Sequence, residues 1–499
     1  MLFNTITYAY FFGTVFLLAW LLAPWRRARL GMLLMSSYIF YAGWTFVGWD
    51  RLLDAEGTAF WLEVVQSIKY VPLLFVATSI DFYLGVALDR IQHPRWRKLM
   101  LFGTVIVNVG ILVFFKYWNW GADTFSWLLD VLLNVQIGDI HLRVELPIGI
   151  SFFCFMSLSY VVDVYRRTIP ACQSYLNYLT YISFFPHLVA GPIIRGRDLL
   201  PHLERDTHLT TKTGGEGMFL IASGLFKKVV IGDYIALNLV DRVFAEPTTY
   251  SSIEVMTAMY GYAVQVYCDF AGYSDIAIGS ALLLGYRFKI NFDAPFKSLN
   301  IVEFWRRWHV SLSTWLRDYV YIPLGGGRKG RPRKYLNMFL TMVICGVWHG
   351  AAWTYFVFGC IQGLALCVTH WSQEVRGVKP GQGEKEAQLL VKVLCIAANF
   401  TFVALTFTMF RAASLDKAWD MYERLLTFTT YTPNLHPYVL LVILGALMLQ
   451  WAPRKLYDGA REWFIRSPAP VQAAVLFCVA LALREAASAD AVPFVYFQF

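Results

Sequence analysis

The sequence predicts an all-α protein that crosses a membrane many times. Of its 499 residues, 57% are hydrophobic and 17% aromatic, whereas only 15% are charged. Average soluble proteins carry about 25% charged residues. A mean hydropathy of +0.49 over this length requires many spans rather than one anchor. Together these observations predict a single polytopic membrane domain over residues 1–499 rather than several soluble domains.

The N-terminal segment is predicted to be the first span, with the N-terminus outside. Its apolar run is followed by the arginines at 26–29, and no basic residues precede it as they would in a signal peptide. Because lysine and arginine favour the cytoplasmic side, the basic clusters at 90–98 and 166–167 are also expected there. The segments 50–63 and 123–145 carry few such residues and are expected on the opposite side.

About eleven transmembrane helices are expected. After the first span the candidates are approximately 30–48, 68–88, 99–118, 146–165, 175–194, 218–240, 253–285, 336–370, 388–410, 437–452 and 470–486. Several are short or interrupted by proline, as in SFFPHLVAGPIIRG at 183–196. Such segments are interpreted as re-entrant, which requires cover by protein or contact with a cavity.

A basic segment at 287–334 differs from the rest of the chain, and part of it predicts an amphipathic helix. At about 100° per residue, positions 305–319 separate into two sectors. The apolar sector contains Trp305, Trp308, His309, Leu312, Trp315, Leu316 and Tyr319. The polar sector contains Arg306, Arg307, Ser311, Ser313, Thr314, Arg317 and Asp318, together with Val310. Such a helix suits the cytoplasmic membrane interface, where it serves at least as a positive anchor.

Two histidines are expected in apolar surroundings. His309 falls in the aromatic sector, and His349 lies within the apolar stretch 336–361. An unpaired buried polar group costs a few kcal/mol, and polar groups at bilayer depth usually face a bundle interior or a water-filled path. Each histidine is therefore either bonded to a polar side chain across helices or part of a functional site. Gly346 and the small residues at 350–352 would let a backbone or a ligand approach His349 closely.

Two acids, Asp269 and Asp275, lie in the apolar segment 264–279. They either orient a histidine or an arginine or cap a helix broken at Gly272, and both interpretations stay open.

No disulfide framework and no metal site are predicted. The eight cysteines form no CxxC pair and are interpreted as small apolar residues. LGGGRKG at 324–330 has no preceding strand and lacks a GK[ST] sequence, so it is interpreted as a flexible basic loop rather than a P-loop.

Several long motifs resemble the membrane-bound O-acyltransferase family. They are LPIGISFFCFMSLSYVVDVYR, FFPHLVAGPIIR, VYCDFAGYSDIAIG, EFWRRWHVSLSTWLRDYVYIPLGG and LTMVICGVWHGAAWTY. The likeness is to the bacterial branch that contains alginate O-acetyltransferases and teichoic-acid D-alanyl transfer proteins. It covers a core of about 30–412 and leaves C-terminal helices at 413–499.

This resemblance implies an O-acyltransferase in the bacterial cytoplasmic (inner) membrane, with re-entrant and interfacial helices around a central tunnel. It places His349 as the catalytic histidine of the W-H-G motif and His309 as a second catalytic position. Residues expected to contact substrate or donor are Arg306, Arg307, Trp305, Asp269, Asp275 and Arg317. The expected donor is a thioester of coenzyme A or of an acidic carrier protein, and no bound cofactor is expected. Other expected partners are membrane lipid and an extracytoplasmic protein that passes the acyl group to an alginate-like envelope polysaccharide; nucleic acid is not among them.

The implied chemistry gives the buried histidine a task. A hydroxyl is a poor nucleophile at neutral pH, and a neutral imidazole can take its proton as it attacks a thioester carbonyl. A site within the membrane excludes water that would hydrolyse the donor. His309 would orient the acyl group or polarise its carbonyl, and the basic residues at 306–334 would attract an acidic carrier or the phosphates of coenzyme A.

One position departs from the relatives, and one alternative function stays open. Relatives on the alginate side often carry a second W-H-G about a dozen residues after the first, where this chain reads CIQGLAL, with Gln362. The alternative is a transporter or channel, since intramembrane Asp and His residues also mark proton relays. The sequence shows no evident internal repeat, which counts against that alternative.

Overall fold

The computed structural model describes residues 2–43, 65–134, 143–378 and 388–486, and no β-strand occurs in these ranges. The predicted all-α class is confirmed. The chain divides into two compact units, Met1–Thr210 with Ser280–Phe288, and Thr211–Gly279 with Lys289–Phe499. Every candidate site residue from the sequence lies in the second unit.

The helices differ widely in length, from the single turn at Phe185–Leu188 to the 40 residues of Pro94–Leu133. In chain order they are α1 (Ile6–Leu21), α2 (Arg26–Ala42), α3 (Val71–Arg90), α4 (Pro94–Leu133), α5 (Ile150–Tyr165), α6 (Tyr175–Ser183), α7 (Phe185–Leu188), α8 (Gly196–Leu203), α9 (Thr211–Leu225), α10 (Asp241–Ala245), α11 (Ser252–Leu283), α12 (Ile301–Arg307), α13 (Val310–Leu316), α14 (Arg331–His349), α15 (Trp353–Val375), α16 (Leu389–Arg411), α17 (Leu415–Leu425), α18 (Pro437–Trp451), α19 (Arg454–Arg466) and α20 (Ala469–Ala486). Turns of π-helix occur at Phe226–Asp233, Ala236–Val240 and Arg317–Tyr321, and 3₁₀ turns at Pro247–Thr249 and Pro295–Lys297.

Local sequence explains where several helices begin. A side-chain oxygen accepts a backbone N–H of the first turn and so satisfies one of the donors that a helix start leaves without an intrahelical partner. The capping residues are Thr5 for α1, Ser174 for α6, Asn300 for α12 and Ser414 for α17.

Five helices in the described ranges are long and apolar enough to cross a membrane. They are Val65–Arg90, Pro94–Leu133, Trp353–Val375, Leu389–Arg411 and Ala469–Ala486. The pair α18 and α19 meets the same standard together but is bent by 91° at its break. Two shorter apolar helices, α1 and α5, coincide with predicted spans. The protein is therefore an integral membrane protein with several spanning helices.

Two predicted boundaries are corrected. Helix α4 continues to Leu133, through residues that were expected to begin a loop at position 123. It contains no proline after Pro94, and its later residues are largely apolar, so nothing in the sequence stops it. The candidate span 336–370 consists of two helices, α14 and α15, separated by three residues.

The interruption expected at 183–196 is present. Helix α6 ends at Ser183, and only the single turn α7 follows before the chain leaves helical geometry. Proline at position 186 lies in that turn, where its fixed backbone angle is tolerated. The predicted loop at 50–63 and the end of the candidate span at 30–48 lie outside the described residues.

Two glycine contacts bring α9 and α11 together in the second unit. A β-carbon on Gly272 would lie 2.6 Å from the carbonyl oxygen of Gly224, and one on Gly279 would lie 2.6 Å from that of Gly217. Only residues without a side chain allow backbones this close. Helix α11 runs unbroken through Gly272, so the interpretation of a helix broken there is wrong. The glycine serves the helix contact instead.

Candidate active site

His349 is the last residue of α14 and not part of a continuous span. Gly350 follows it in an extended conformation (φ −157°, ψ 152°), and α15 begins at Trp353. Glycine loses the most conformational freedom in a helix, so the chain leaves helical geometry readily at this point. His349 is buried, with 3% of its surface exposed. The break places an imidazole at a helix end inside the protein.

Helices α14 and α15 pack closely on either side of that break. A β-carbon on Gly346 would lie 2.3 Å from the carbonyl oxygen of Tyr355, and one on Gly350 would lie 2.1 Å from the Tyr355 ring. The close approach expected at these two glycines is confirmed, and the approaching groups belong to α15. The Tyr355 hydroxyl in turn donates to the carbonyl oxygen of Phe410, at 3.2 Å.

A small cavity of about 10 Å³ lies beside His349, with room for roughly one water molecule. Its lining consists of Val266, Trp305, Trp308, His349, Phe358, Phe407 and Phe410. Among these seven residues only the histidine carries a group that takes up or releases protons near neutral pH. Its ring meets the Phe410 ring edge to face, with centroids 4.8 Å apart. The cavity therefore presents one proton acceptor within aromatic walls.

The continuous helix expected over 305–319 is wrong. Helix α12 ends at Arg307, α13 begins at Val310, and a π-helical turn follows from Arg317. His309 lies at the break in the left-handed conformation (φ 42°, ψ 55°). The predicted burial of the aromatic sector nevertheless holds. Its buried members are Trp305, Trp308, His309, Leu312, Trp315 and Leu316.

Asn291 holds the break at His309. Its carbonyl oxygen accepts from the Val310 N–H at 2.9 Å, and its Oδ1 accepts from the N–H and the hydroxyl of Ser311 at 3.2 and 2.9 Å. Its Nδ2 donates to the Ser274 hydroxyl at 3.3 Å. Left-handed geometry at a residue other than glycine costs about 1–3 kcal/mol and persists only when its surroundings enforce it. Asn291, with 1% of its surface exposed, supplies that enforcement.

Trp348 packs against both histidines. Its ring centroid is 6.4 Å from that of His309 and 4.8 Å from that of His349. The two imidazoles are thus separated by no more than the sum of these distances. On its other side, His309 meets the Phe270 ring edge to face at 4.6 Å. His349 lines the cavity, whereas His309 is not among the lining residues.

The three arginines expected at the donor site differ in their surroundings. Arg307 donates to Glu303 Oε1 through Nε and Nη2, at 3.0 and 2.8 Å. Arg317 is paired with the adjacent Asp318 at 2.7 Å, and Arg306 is exposed. The basic loop at 324–330 carries exposed Arg328 and Lys329 as well. The basic segment at 287–334 therefore combines ion pairs with exposed charges.

Asp269 and Asp275 both contact lysines of the π-helical turn at Phe226–Asp233. The Lys228 ammonium is 2.5 Å from Asp269 Oδ1 and 2.6 Å from Asp233 Oδ1, and Lys227 is paired with Asp275. Lys228 is almost completely buried, at 1% exposure. Burying such charges is tolerated only when they are paired. The two acids are thus part of an ionic contact between α11 and the segment that follows α9.

Sequence reasoning missed three groups of residues at the site. Lys227 and Lys228 lie in an apolar run, and no motif or spacing of residues around them indicated a functional role. Asn291 acts through backbone contacts that form only in the folded chain. The aromatic wall from α16, Phe407 and Phe410, is distant in sequence from both histidines, although its FTMFRA motif marks the end of the resembling core.

Comparisons with known proteins cover the part of the chain that forms this site. The profile of the membrane-bound O-acyltransferase family matches residues 164–410, a range that contains both histidines and the whole cavity lining. A probable alginate O-acetylase of Pseudomonas aeruginosa is 35% identical over 436 residues, covering 86% of this chain and 76% of the relative. The chain belongs to the membrane-bound O-acyltransferase family. It is an O-acyltransferase embedded in a membrane.

Other relatives of this acyltransferase act on different envelope polymers according to their names. A peptidoglycan O-acetyltransferase of Helicobacter pylori is 32% identical over 400 residues, covering 74% of this chain and 72% of the relative. A teichoic acid D-alanyltransferase of Streptococcus thermophilus is 28% identical over 292 residues, covering 54% of this chain and 69% of the relative. The predicted family is confirmed.

Proposed function

We propose that this acyltransferase moves an acetyl group from a cytoplasmic thioester to hydroxyl groups of an alginate-like envelope polysaccharide. The observation that carries the proposal is His349 on the wall of a buried cavity whose other lining residues are aromatic or aliphatic. The likeness to an alginate O-acetylase over most of both chains supports the polymer class.

The proposed step begins with a hydroxyl oxygen that attacks the thioester carbonyl carbon while the His349 imidazole takes its proton. The carbon–sulfur bond breaks, the sulfur leaves as a thiolate, and the proton passes from the imidazole to that sulfur. The aromatic walls exclude water, which would otherwise take the place of the hydroxyl. His309, which packs against Trp348, orients the acyl group or polarises its carbonyl.

The proposal also names the acyl donor, the partner protein and the membrane. The donor is a thioester of coenzyme A or of an acidic carrier protein, attracted by the exposed basic residues. An extracytoplasmic partner protein passes the acetyl group to the polysaccharide. The chain lies in the bacterial inner membrane with its N-terminus outside and about eleven crossings. The bent pair at α18 and α19 and the short apolar helices support more crossings than the five helices that are long enough to span a membrane on their own.

An assay of the purified protein in detergent tests the activity. We expect consumption of acetyl-coenzyme A, with one free thiol released for each acetyl group transferred to an added hydroxyl acceptor that stands in for the partner protein. A transporter or channel would consume no thioester and would instead move ions across proteoliposomes. Ion movement without any thioester consumption would refute the proposed activity.

A further inference from the structure

Gln362 of α15 is completely buried, and both ends of its side-chain amide are engaged. Its Oε1 accepts a hydrogen bond from Trp305 Nε1 at 3.1 Å, and its Nε2 donates to the Thr406 hydroxyl at 2.8 Å. That hydroxyl donates in turn to the Phe402 carbonyl oxygen at 2.9 Å. One side chain thus joins α12, α15 and α16.

The chemistry of the partners fixes the orientation of this amide. An indole N–H is a donor only, so the oxygen of Gln362 must face Trp305. The nitrogen then faces Thr406, whose hydroxyl accepts from it and still has a proton for the backbone. The amide cannot be flipped without placing its N–H groups against the indole N–H, so this orientation is the one that satisfies both ends of the side chain.

Trp305 connects this chain of hydrogen bonds to the cavity. Its ring lies in the same lining as His349, and its single N–H is the one that Gln362 accepts. A buried indole N–H costs about 1–3 kcal/mol when it lacks a partner. The indole therefore keeps the orientation in which it reaches Gln362, and that orientation sets the position of one cavity wall.

We propose that Gln362 is a positioning residue that holds Trp305 as the wall limiting the acyl group to a short chain. The inference rests on the proposed acyl transfer at His349 and adds the residue that selects the length of the acyl group. Because Trp305 and His349 line the same cavity, the orientation of the indole decides how far an acyl group can extend past His349.

The effect is measured as a preference between two donors. The probes are acetyl- and butanoyl-coenzyme A, and the readout is the ratio of their kcat/KM values. One methylene in an apolar pocket is worth about 10- to 200-fold in discrimination. We expect Gln362→Met, which keeps the length of the side chain and removes both hydrogen bonds, to lower the acetyl preference by about 10-fold.

A graded set of variants separates positioning from a general disturbance. Trp305→Ala removes the wall and shifts the preference furthest. Thr406→Val shifts it less than Gln362→Met, since Oε1 still accepts from the indole, and Thr406→Ser restores the hydroxyl and the preference. The matched control is Thr401→Val, on the same helix as Thr406. It removes a 2.6 Å hydrogen bond between Thr401 and Tyr260, and we expect it to leave the ratio of the two kcat/KM values unchanged.

Fluorine NMR of protein labelled with fluorotryptophan gives a readout independent of activity. The Trp305 signal is identified by its loss in Trp305→Phe, and we expect it to shift or broaden in Gln362→Met but not in Thr401→Val. A folded Gln362→Met protein with an unshifted signal would overturn the positioning role, and so would one with the original donor ratio. If the unmodified protein transfers neither acyl group, the proposed function fails, and the fluorine signal alone decides the positioning role.

Discussion

Both histidines lie at breaks in the helical backbone, yet the two breaks are built differently. After His349 the chain turns out of the helix at Gly350, a residue that adopts extended geometry without strain. At His309 the histidine itself takes the left-handed conformation, enforced by Asn291. Asparagine or glycine would adopt this conformation more easily. Histidine is itself enriched among the non-glycine residues that adopt this conformation, so the backbone geometry and the imidazole are two separate explanations for its presence.

The surroundings of the two imidazole rings also differ. His349 borders the cavity, where a reacting group can approach it. His309 is packed against Phe270 and Trp348 and has no surface exposed. We therefore expect His349 to take the proton of the attacking hydroxyl directly. We expect His309 to orient the acyl group or to polarise its carbonyl.

The largest effect is expected from His349→Ala. Losing a general base lowers transfer by at least about 100-fold, whereas the protein should still insert and fold, because the helix already ends at this residue. Turnover by the purified variant is compared with that of His370→Ala, which changes a half-buried histidine of α15 outside the cavity lining. Near-normal transfer by folded His349→Ala would remove the proposed mechanism.

His309→Asn separates the two explanations of the left-handed residue. Asparagine tolerates this conformation, so the backbone break is kept while the imidazole is lost. We expect transfer to fall by up to about 100-fold, the scale of one misplaced group, with little change in melting temperature. Full activity of His309→Asn would mean that only the backbone geometry matters there.

The double variant His309→Ala/His349→Ala measures whether the two rings serve one step. Residues that act as a unit show losses that do not multiply. We expect transfer by the double variant to lie within about threefold of His349→Ala alone. A loss equal to the product of the two single losses would assign the rings to independent tasks.

The smallest effect is expected at the exposed basic loop, which lies between the two breaks in the sequence. Neutralising Arg328 and Lys329 together should raise the apparent KM for the donor a few-fold and leave kcat unchanged, because exposed charges act on encounter. Added salt should raise the KM of the unmodified protein too, since the screening length is about 8 Å at physiological ionic strength.

The control for that loop is Lys212→Gln/Lys455→Gln, which removes two other exposed charges of the same unit. Its KM should stay near that of the unmodified protein. Kinetics that depend neither on salt nor on the loop charges would show that these residues serve only as topological anchors.

Composition, apolar runs and motifs were enough to predict the class of the protein and to point to two candidate histidines. Composition and apolar runs require a helical membrane protein, because a backbone in hydrocarbon must satisfy its hydrogen bonds internally. The burial of Trp305, Trp308, Leu312 and Trp315 also followed from periodicity, since the short helices keep that face inward even though the helix is broken. The W-H-G motif identified His349 through the resemblance.

The contacts of the polar residues could not be predicted from the sequence and appear only in the folded chain. Periodicity is blind to a single left-handed residue, so the break at His309 appears only with Asn291 in place. Asp269 and Asp275 could pair with any cation, and the close contact between Gly224 and Gly272 brings Lys228 and Lys227 to them. The cavity wall and the amide of Gln362 join helices far apart in sequence, and such contacts depend on packing, which no local pattern encodes.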